Sequence, residues 1–287
     1  MSALLAAIPQ PPVHDAMPKT AEWLFTGFLL ALTCIALVVA MRRIARGKGP
    51  LLLYCVIGGA IGALFEPIVD VLGLCYLKEQ HAIGTYTYLG RTIPLYLLFA
   101  YPWYNGGLAF AYSKLMERGV TMRVLFALWA ATGVADVLEE TPGILAHTYM
   151  YYGKQPFDIW GFPLWWAFVN PLMPLLAGAL IYRLKPRLGP GLGQLGVVLL
   201  IPIAGAMANA ATAAPTWMTL NLMHSSYVWT YLGGFATLGL ALFAVWMIGC
   251  LVARPAEEVA TEPLLRQLKA ALLRKDQPVP LASPQRA

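Results

Sequence analysis

Long runs of apolar residues constrain this chain more than any other feature. A helix needs about 20 mostly apolar residues to cross a bilayer, and charged residues make up only 12% of the sequence, against about 25% in soluble domains. A soluble globular fold is therefore excluded. The pattern predicts an all-α integral membrane protein, a bundle of seven transmembrane helices. The seven runs are Trp23–Met41, Leu51–Gly73, Ile93–Leu115, Val124–His147, Trp160–Tyr182, Leu192–Ala214 and Val228–Val252.

The positions of the basic residues predict the orientation of the bundle. Of the 20 Lys and Arg residues, 16 fall after the first, third and fifth runs or in the C-terminal tail. The other four are Lys19, Lys78, Arg91 and Lys154. Because cytoplasmic loops carry an excess of Lys and Arg, we expect the N-terminus outside and the C-terminus in the cytoplasm. The net charge of +6 then indicates the lipid bilayer as a partner and no nucleic acid.

Three parts of the chain are expected around this arrangement. Residues 1–22 would form an extracytoplasmic segment that lacks the basic start of a signal peptide, residues 23–253 the membrane domain, and residues 254–287 a cytoplasmic tail. Within the tail, Pro263–Lys275 has apolar residues at helical spacing with basic residues between them. This pattern predicts either an amphipathic helix on the anionic inner leaflet or an exposed helix with no partner. The proline-containing end, 278–287, is expected to be disordered. We expect a multi-pass protein of the cell membrane, in a bacterium the inner or plasma membrane.

Five acidic residues inside the apolar runs are the first candidates for a functional site. Charged groups at membrane depth cost a few kcal/mol each and normally face a cavity or a partner. The five form two groups, Glu66 with Asp70 and Asp136 with Glu139 and Glu140. Residues three or four apart share a helix face, so each group can present its carboxylates to one space. The alternative is structural hydrogen bonding between helices. The five are Glu66, Asp70, Asp136, Glu139 and Glu140.

Polar and aromatic residues are expected at the same level of the bundle. They predict a polar cavity with aromatic walls in the outer half of the membrane, where they would bind a substrate. Interfacial anchoring of Trp165 and Trp166, and interhelical hydrogen bonding by the asparagines, are the alternatives. The candidates are Arg91, Trp103, Tyr104, Asn105, Trp166, Asn170 and Asn209.

Clustered carboxylates favour proton-transfer chemistry. In a dry site one carboxyl can remain a neutral acid while another is an ionised base. No phosphate-binding loop, dinucleotide fingerprint or HExxH motif occurs, so we expect no cofactor and no metal. Three functions stay open: an enzyme that cyclises, dehydrates or isomerises a lipophilic small molecule, a proton-coupled transporter or lipophile-binding protein, and a carboxylate–Mg²⁺ site for a prenyl diphosphate.

Three strings carry a resemblance to a known family. GGAIGALFEPIVDVLG, then YLGRTIPLYL with WYNGG, then FPLWWAFVNPLMPL resemble the AveC-type spirocyclases, integral membrane proteins of polyketide biosynthesis. The resemblance covers about Gly58–Tyr182. It implies a cofactor-free ring closure in which a dihydroxy-ketone becomes a spiroketal with loss of water. Within the matching segments it carries over Glu66, Asp70, Arg91, Asn105 and Asn170.

The residues themselves suggest roles in such chemistry. A neutral Glu139 or Glu140 would protonate a carbonyl or a leaving hydroxyl, and an ionised Glu66, hydrogen-bonded with Asp70 or Asp136, would take the proton of the attacking hydroxyl. Glu139 and Glu140 point about 100° apart on a helix, so we expect one to face the cavity while the other serves packing or a cap. Aromatic faces would hold a cationic intermediate, and the asparagines would orient oxygens.

Overall fold

The structure of the protein is a computed structural model, which describes residues 9–254 and 263–273. The first eight residues and the end expected to be disordered, 278–287, lie outside the described residues. The described part of the chain is mostly helical, with 72% of its residues in helices. The described helices are α1 Lys19–Ala45, α2 Leu51–Gly62, α3 Glu66–Gly73, α4 Leu95–Tyr101, α5 Leu108–Glu117, α6 Met122–Leu145, α7 Trp165–Val169, α8 Leu172–Leu188, α9 Val197–Leu220, α10 Tyr227–Val252 and α11 Leu264–Leu273.

Short irregular helical turns join several of these helices into longer rods. A 3₁₀ turn, Ala63–Phe65, continues α2 into α3, and a π-helix, Pro102–Gly107, continues α4 into α5. Pro102 lacks the N–H that the α-helical ladder needs at this point, which accounts for the change of register. The π-helix begins at that proline.

Five helices of the described chain are long and apolar enough to cross a membrane. The rod 95–117 and helix α6 are not among them, and α6 carries Asp136, Glu139 and Glu140. An α-helical, membrane-associated chain is thus supported by the structure. The five are Lys19–Ala45, Leu51–Gly73, Trp165–Leu188, Gly191–Leu220 and Tyr227–Val252.

Short strands, which the all-α prediction did not include, cover one end of the bundle. They form three antiparallel pairs, β1 with β4, β2 with β3 and β5 with β6. All six lie in the connections between α3 and α4 or between α6 and α7, so they meet at the same end; we call residues 75–94 and 149–163 the β cap. Leu89 and Gly90, both with positive φ, turn β2 into β3. The strands are β1 Cys75–Leu77, β2 Gly84–Tyr88, β3 Arg91–Pro94, β4 Tyr149–Tyr151, β5 Asp158–Ile159 and β6 Phe162–Pro163.

Glycines let α2 approach its neighbours at backbone distance. A Cβ added at Gly58 would lie 2.8 Å from the Val198 carbonyl oxygen of α9. One added at Gly106 of the π-helix would lie 2.2 Å from the Cys55 carbonyl oxygen. The contact at Gly106 fixes the height of the π-helix against α2, and with it the side chains that the π-helix presents.

The tail helix α11 packs against the turn between α5 and α6. The Thr121 hydroxyl donates to Gln267 Oε1 at 2.7 Å, and Arg118 donates to the Leu272 carbonyl oxygen at 2.9 Å. Gln267 and Ala271 are buried in this contact. The tail therefore contains a helix within the predicted segment, and this helix packs against its own chain.

Candidate functional site

A cavity lies beneath the β cap, and all five predicted carboxylates line it. The volume of the cavity is about 110 Å³. One water needs roughly 10–15 Å³ of cavity volume, so the cavity holds several waters or part of a small molecule. Both Glu139 and Glu140 line it, so the expectation that one of them would turn away is wrong.

Glu66 and Asp70 form the α3 side of the cavity. Glu66 accepts a hydrogen bond from the Tyr101 hydroxyl of α4. Asp70 is only 1% exposed, and within the described chain neither of its carboxyl oxygens has a nitrogen or oxygen partner at hydrogen-bond geometry. The Cys75 thiol is its polar neighbour. Beyond this contact with the thiol, the carboxyl of Asp70 keeps acceptor capacity for a group within the cavity.

Glu140 and Asp136 form the α6 side and share a partner. Asn170 donates to Asp136 Oδ2 at 3.1 Å and to Glu140 Oε1 at 3.2 Å. The hydroxyls of Tyr151 and Tyr149 donate to Glu140 Oε2 at 2.8 and 3.1 Å. Glu140 thus accepts from three side chains.

Glu139 differs from its neighbour because it accepts no hydrogen bond from the described residues, although it lines the same cavity. Carboxylate oxygens that are ionised are acceptors only, whereas a protonated carboxyl also donates. The surroundings of Glu140 suit an acceptor. Those of Glu139 leave it free to act as a donor.

The tyrosines that serve Glu140 come from the β cap, outside the spanning helices. Burial raises the pKa of the Tyr151 hydroxyl, and the nearby charge of Glu140 raises it further. The hydroxyl therefore stays protonated and donates over the ordinary pH range. Tyr101, Tyr149 and Tyr151 were not predicted from the sequence, since they contact their carboxylates only through the tertiary fold.

The π-helix divides its polar residues between cavity and core. Tyr104 lines the cavity and faces Asp136, without a hydrogen bond of normal geometry to any described residue. Trp103 does not line it and packs edge-on against Tyr104, with ring centroids 5.6 Å apart. Asn105 is buried outside the lining, with Nδ2 near Gly62 and Gly205. These positions suggest a packing role for Trp103 and Asn105.

Trp166 of α7 and Asn209 of α9 complete the lining of the cavity. Trp165 and Trp166 stack with centroids 3.9 Å apart and are at most 2% exposed, so they do not form an interfacial belt. Of the two, Trp166 lines the cavity. Asn209 also lines it and donates to Met173 Sδ at 3.5 Å, and its amide oxygen has no partner among residues 9–254 and 263–273.

Arg91 lies in the β cap and does not line the cavity. Its guanidinium donates to the Tyr152 hydroxyl at 2.9 Å and sits 5.4 Å from the centre of the Tyr76 ring. It is buried within the cap, so the side chain does not take the predicted place among the residues of the cavity wall. Its charge still acts on Asp70.

The described residues that line the cavity include five carboxyl groups and no Lys or Arg. Among residues 9–254 and 263–273, no three or more His, Cys, Asp or Glu side chains are placed to hold a metal ion. Tyrosine hydroxyls, an asparagine amide and carboxyls can together hold, give and accept protons.

Comparison with protein-family models, with curated proteins and with solved structures finds no match for the chain.

Proposed function

We propose that this protein is a membrane-embedded, cofactor-independent cyclase of the spirocyclase or dehydratase kind, which acts on a lipophilic, oxygenated small molecule. One observation carries the proposal: five carboxyl groups line a single cavity, with no basic residue among its described lining. A cavity of this kind suits general acid–base catalysis. The resemblance to AveC-type spirocyclases agrees with it.

The proposal includes seven spans, with the N-terminus outside and the C-terminus in the cytoplasm. Rod 95–117 and α6 would be the two further spans, because they are helical over similar lengths to the five apolar helices. Their polar residues face the cavity and their neighbours instead of lipid. The uneven distribution of Lys and Arg supports the orientation. On this topology the β cap lies outside.

The surroundings of the carboxyl groups suggest their roles. Glu139 accepts no hydrogen bond from the described residues, so its carboxyl would remain protonated and would protonate the carbonyl or leaving oxygen. Glu66 and Glu140, which accept hydrogen bonds from tyrosines, would take the protons of attacking hydroxyls. Asp70 and Asp136 would orient those hydroxyls.

The proposed reaction balances without an added reagent. Two hydroxyl oxygens bond to one carbonyl carbon, the carbonyl oxygen leaves as water, and the two hydroxyl protons end on that water. The faces of Tyr104 and Trp166 would stabilise the oxocarbenium-like intermediate. A buried cavity keeps bulk water from reversing the closure.

Replacement of the carboxyl groups tests the proposal. Glu66→Gln, Glu139→Gln and Glu140→Gln keep the side-chain volume but cannot transfer a proton in the same way. We expect each to fold and to lower turnover of a long-chain dihydroxy-ketone by about 10²–10⁴-fold, measured as water loss by mass spectrometry. Asp15→Asn is the matched control, because Asp15 lies outside the cavity.

Retained turnover in all three Gln variants would refute acid–base catalysis. The cavity would then be a binding site, as in a lipophile-binding protein or a proton-coupled transporter. Purified protein in detergent is sufficient for the measurement. Thermal unfolding of each variant separates lost chemistry from lost folding.

A further inference from the structure

Two contacts join the opposite walls of the cavity at different heights. Near the β cap, Phe25 of α1 stacks on Tyr149 with centroids 6.4 Å apart, and its Cζ lies 3.3 Å from the position of a Cβ on Gly143. At the other end, the hydroxyls of Tyr112 and Thr132 lie 2.5 Å apart and link α5 to α6. Thr132 and Gly143 are 11 residues apart on α6, which corresponds to about 16 Å at 1.5 Å per residue.

The stretch between these contacts is bordered by partly exposed residues that line the cavity. Ala100 and Tyr101 lie on the α4 side, and Glu139 and Glu140 on the α6 side. Helix α6 packs on α7 and α10, and α4 packs on α1. The main packing of both helices is thus directed away from the seam between them.

The flank of α6 next to this seam is apolar and exposed. Val134 and Leu138 are 61% and 70% exposed, as expected of side chains that face lipid. Ala135, also exposed, precedes Glu139 by four residues and therefore lies on the same face, at the edge of the seam. Its side chain is a single methyl group, smaller than those of Val134 and Leu138 on the same flank.

The β cap closes the other route. Cys75, Tyr76, Leu77 and Tyr149 are each at most 5% exposed. The cap is also tied down at its sides, where Lys154 donates to the Ser225 carbonyl oxygen at 2.6 Å. A molecule in the outer water therefore meets a packed layer above the carboxyl groups.

We propose that the cavity opens sideways into the bilayer, through the seam between α4 and α6, and receives an uncharged lipophile from the hydrocarbon core. The proposal rests on the membrane topology given above, and it does not depend on the chemistry that follows. The seam would admit a chain-like or flat molecule end-on, with its oxygens leading toward the carboxyl groups.

The native Cys75 thiol, which lines the cavity, reports on entry. A variant with this thiol alone (Cys34→Ser, Cys55→Ala and Cys250→Ser) is placed in liposomes. It is treated with an alkyl maleimide that partitions into the bilayer, or with a sulfonated maleimide that stays in water. Burial raises the pKa of the Cys75 thiol, which slows both reagents, so the ratio of their labelling rates is the measurement.

We expect the alkyl reagent to label Cys75 at least about tenfold faster after correction for reactivity with free cysteine. Ala135→Trp should slow this labelling about tenfold, because the indole would narrow the seam. Val134→Trp, one residue away but about 100° around the helix, is the matched control and should leave the rate unchanged.

Equal labelling by the sulfonated reagent, or equal rates in the two Trp variants, would overturn the proposal. If neither reagent reaches Cys75, the same labelling is repeated on Leu97→Cys, where the thiol lies nearer the seam. Labelling of this thiol by the alkyl reagent alone supports the opening, and any other result refutes it. Turnover plays no part in these measurements, so their failure is distinguishable from failure of the proposed catalysis.

Discussion

Gly106→Ala tests whether the backbone contact between the π-helix and α2 positions the cavity wall. The added Cβ would lie 2.2 Å from the Cys55 carbonyl oxygen and 2.7 Å from its carbonyl carbon. Ordinary contacts are more than 3 Å, so α2 and the π-helix must separate by about 1 Å. Overpacking of a close-packed site costs about 1–3 kcal/mol. We expect the upper end of this range, since the obstructing atoms are backbone and cannot rotate away.

The expected result is a lower melting temperature. At about 2–4 °C per kcal/mol for a chain of this size class, a loss near 3 kcal/mol corresponds to roughly 6–12 °C. Tyr104 lies in the same π-helix, two residues earlier, so any ligand of the cavity should also bind less tightly.

Thermal unfolding in detergent, followed by circular dichroism, measures the difference. Gly239→Ala in α10 is the matched control, because nothing in the described chain lies within 4 Å of its added Cβ. That substitution should be neutral or stabilising by up to about 1 kcal/mol through helix propensity. If Gly106→Ala unfolds at the same temperature as Gly239→Ala, the two backbones are not in contact and the placement of Tyr104 loses its explanation.

Three further predictions follow from the topology, the lining and the tail. A reporter active only outside the cell should work at three fusion sites and fail at three others, and the reverse at any two sites would refute the orientation. The reporter should work when it is fused after Gln80, Gln155 or Asn221. It should fail when it is fused after Gly47, Gly119 or Gly189. Turnover should survive exhaustive EDTA treatment without added nucleotide; loss on chelation with recovery in Mg²⁺ would favour the diphosphate alternative. Gln267→Ala removes the oxygen that accepts the hydrogen bond from the Thr121 hydroxyl. Because a hydrogen bond contributes about 1 kcal/mol, tryptic cleavage within α11 should increase several-fold. Unchanged cleavage would show that this bond does not hold the tail.

Local patterns predict the helices and the spacing of the acidic residues, because both follow from helical periodicity. Glu66 and Asp70, four residues apart, lie in one cavity in the structure. The α6 carboxyls share this cavity because of helix packing. Periodicity does not predict that packing, but the expected position of these residues at one level of the bundle is consistent with it.

The hydrogen-bond partners and the β cap could not be predicted in the same way. Tyr101 and Glu66 are 35 residues apart, and no local pattern pairs them. The strands of the cap are two to five residues long, too short for a clear alternation, although GTYTY followed by the Leu89–Gly90 turn is a hairpin signal. Asn105 was predicted to face the cavity on the assumption of a regular α-helix. The π-helix rotates the side chains that follow Pro102, and apart from this proline nothing in the sequence indicates it.

Asn170 limits how a ligand can contact the α6 side of the cavity. A side-chain amide has two hydrogens, and in this structure both point to carboxylates, those of Asp136 and Glu140. The oxygen of the amide is the atom that remains for a ligand, and an oxygen only accepts. A ligand that contacts Asn170 must therefore donate a hydrogen to it, or else displace one of the two carboxylates. Binding and rearrangement of the acid–base groups are coupled at this one side chain.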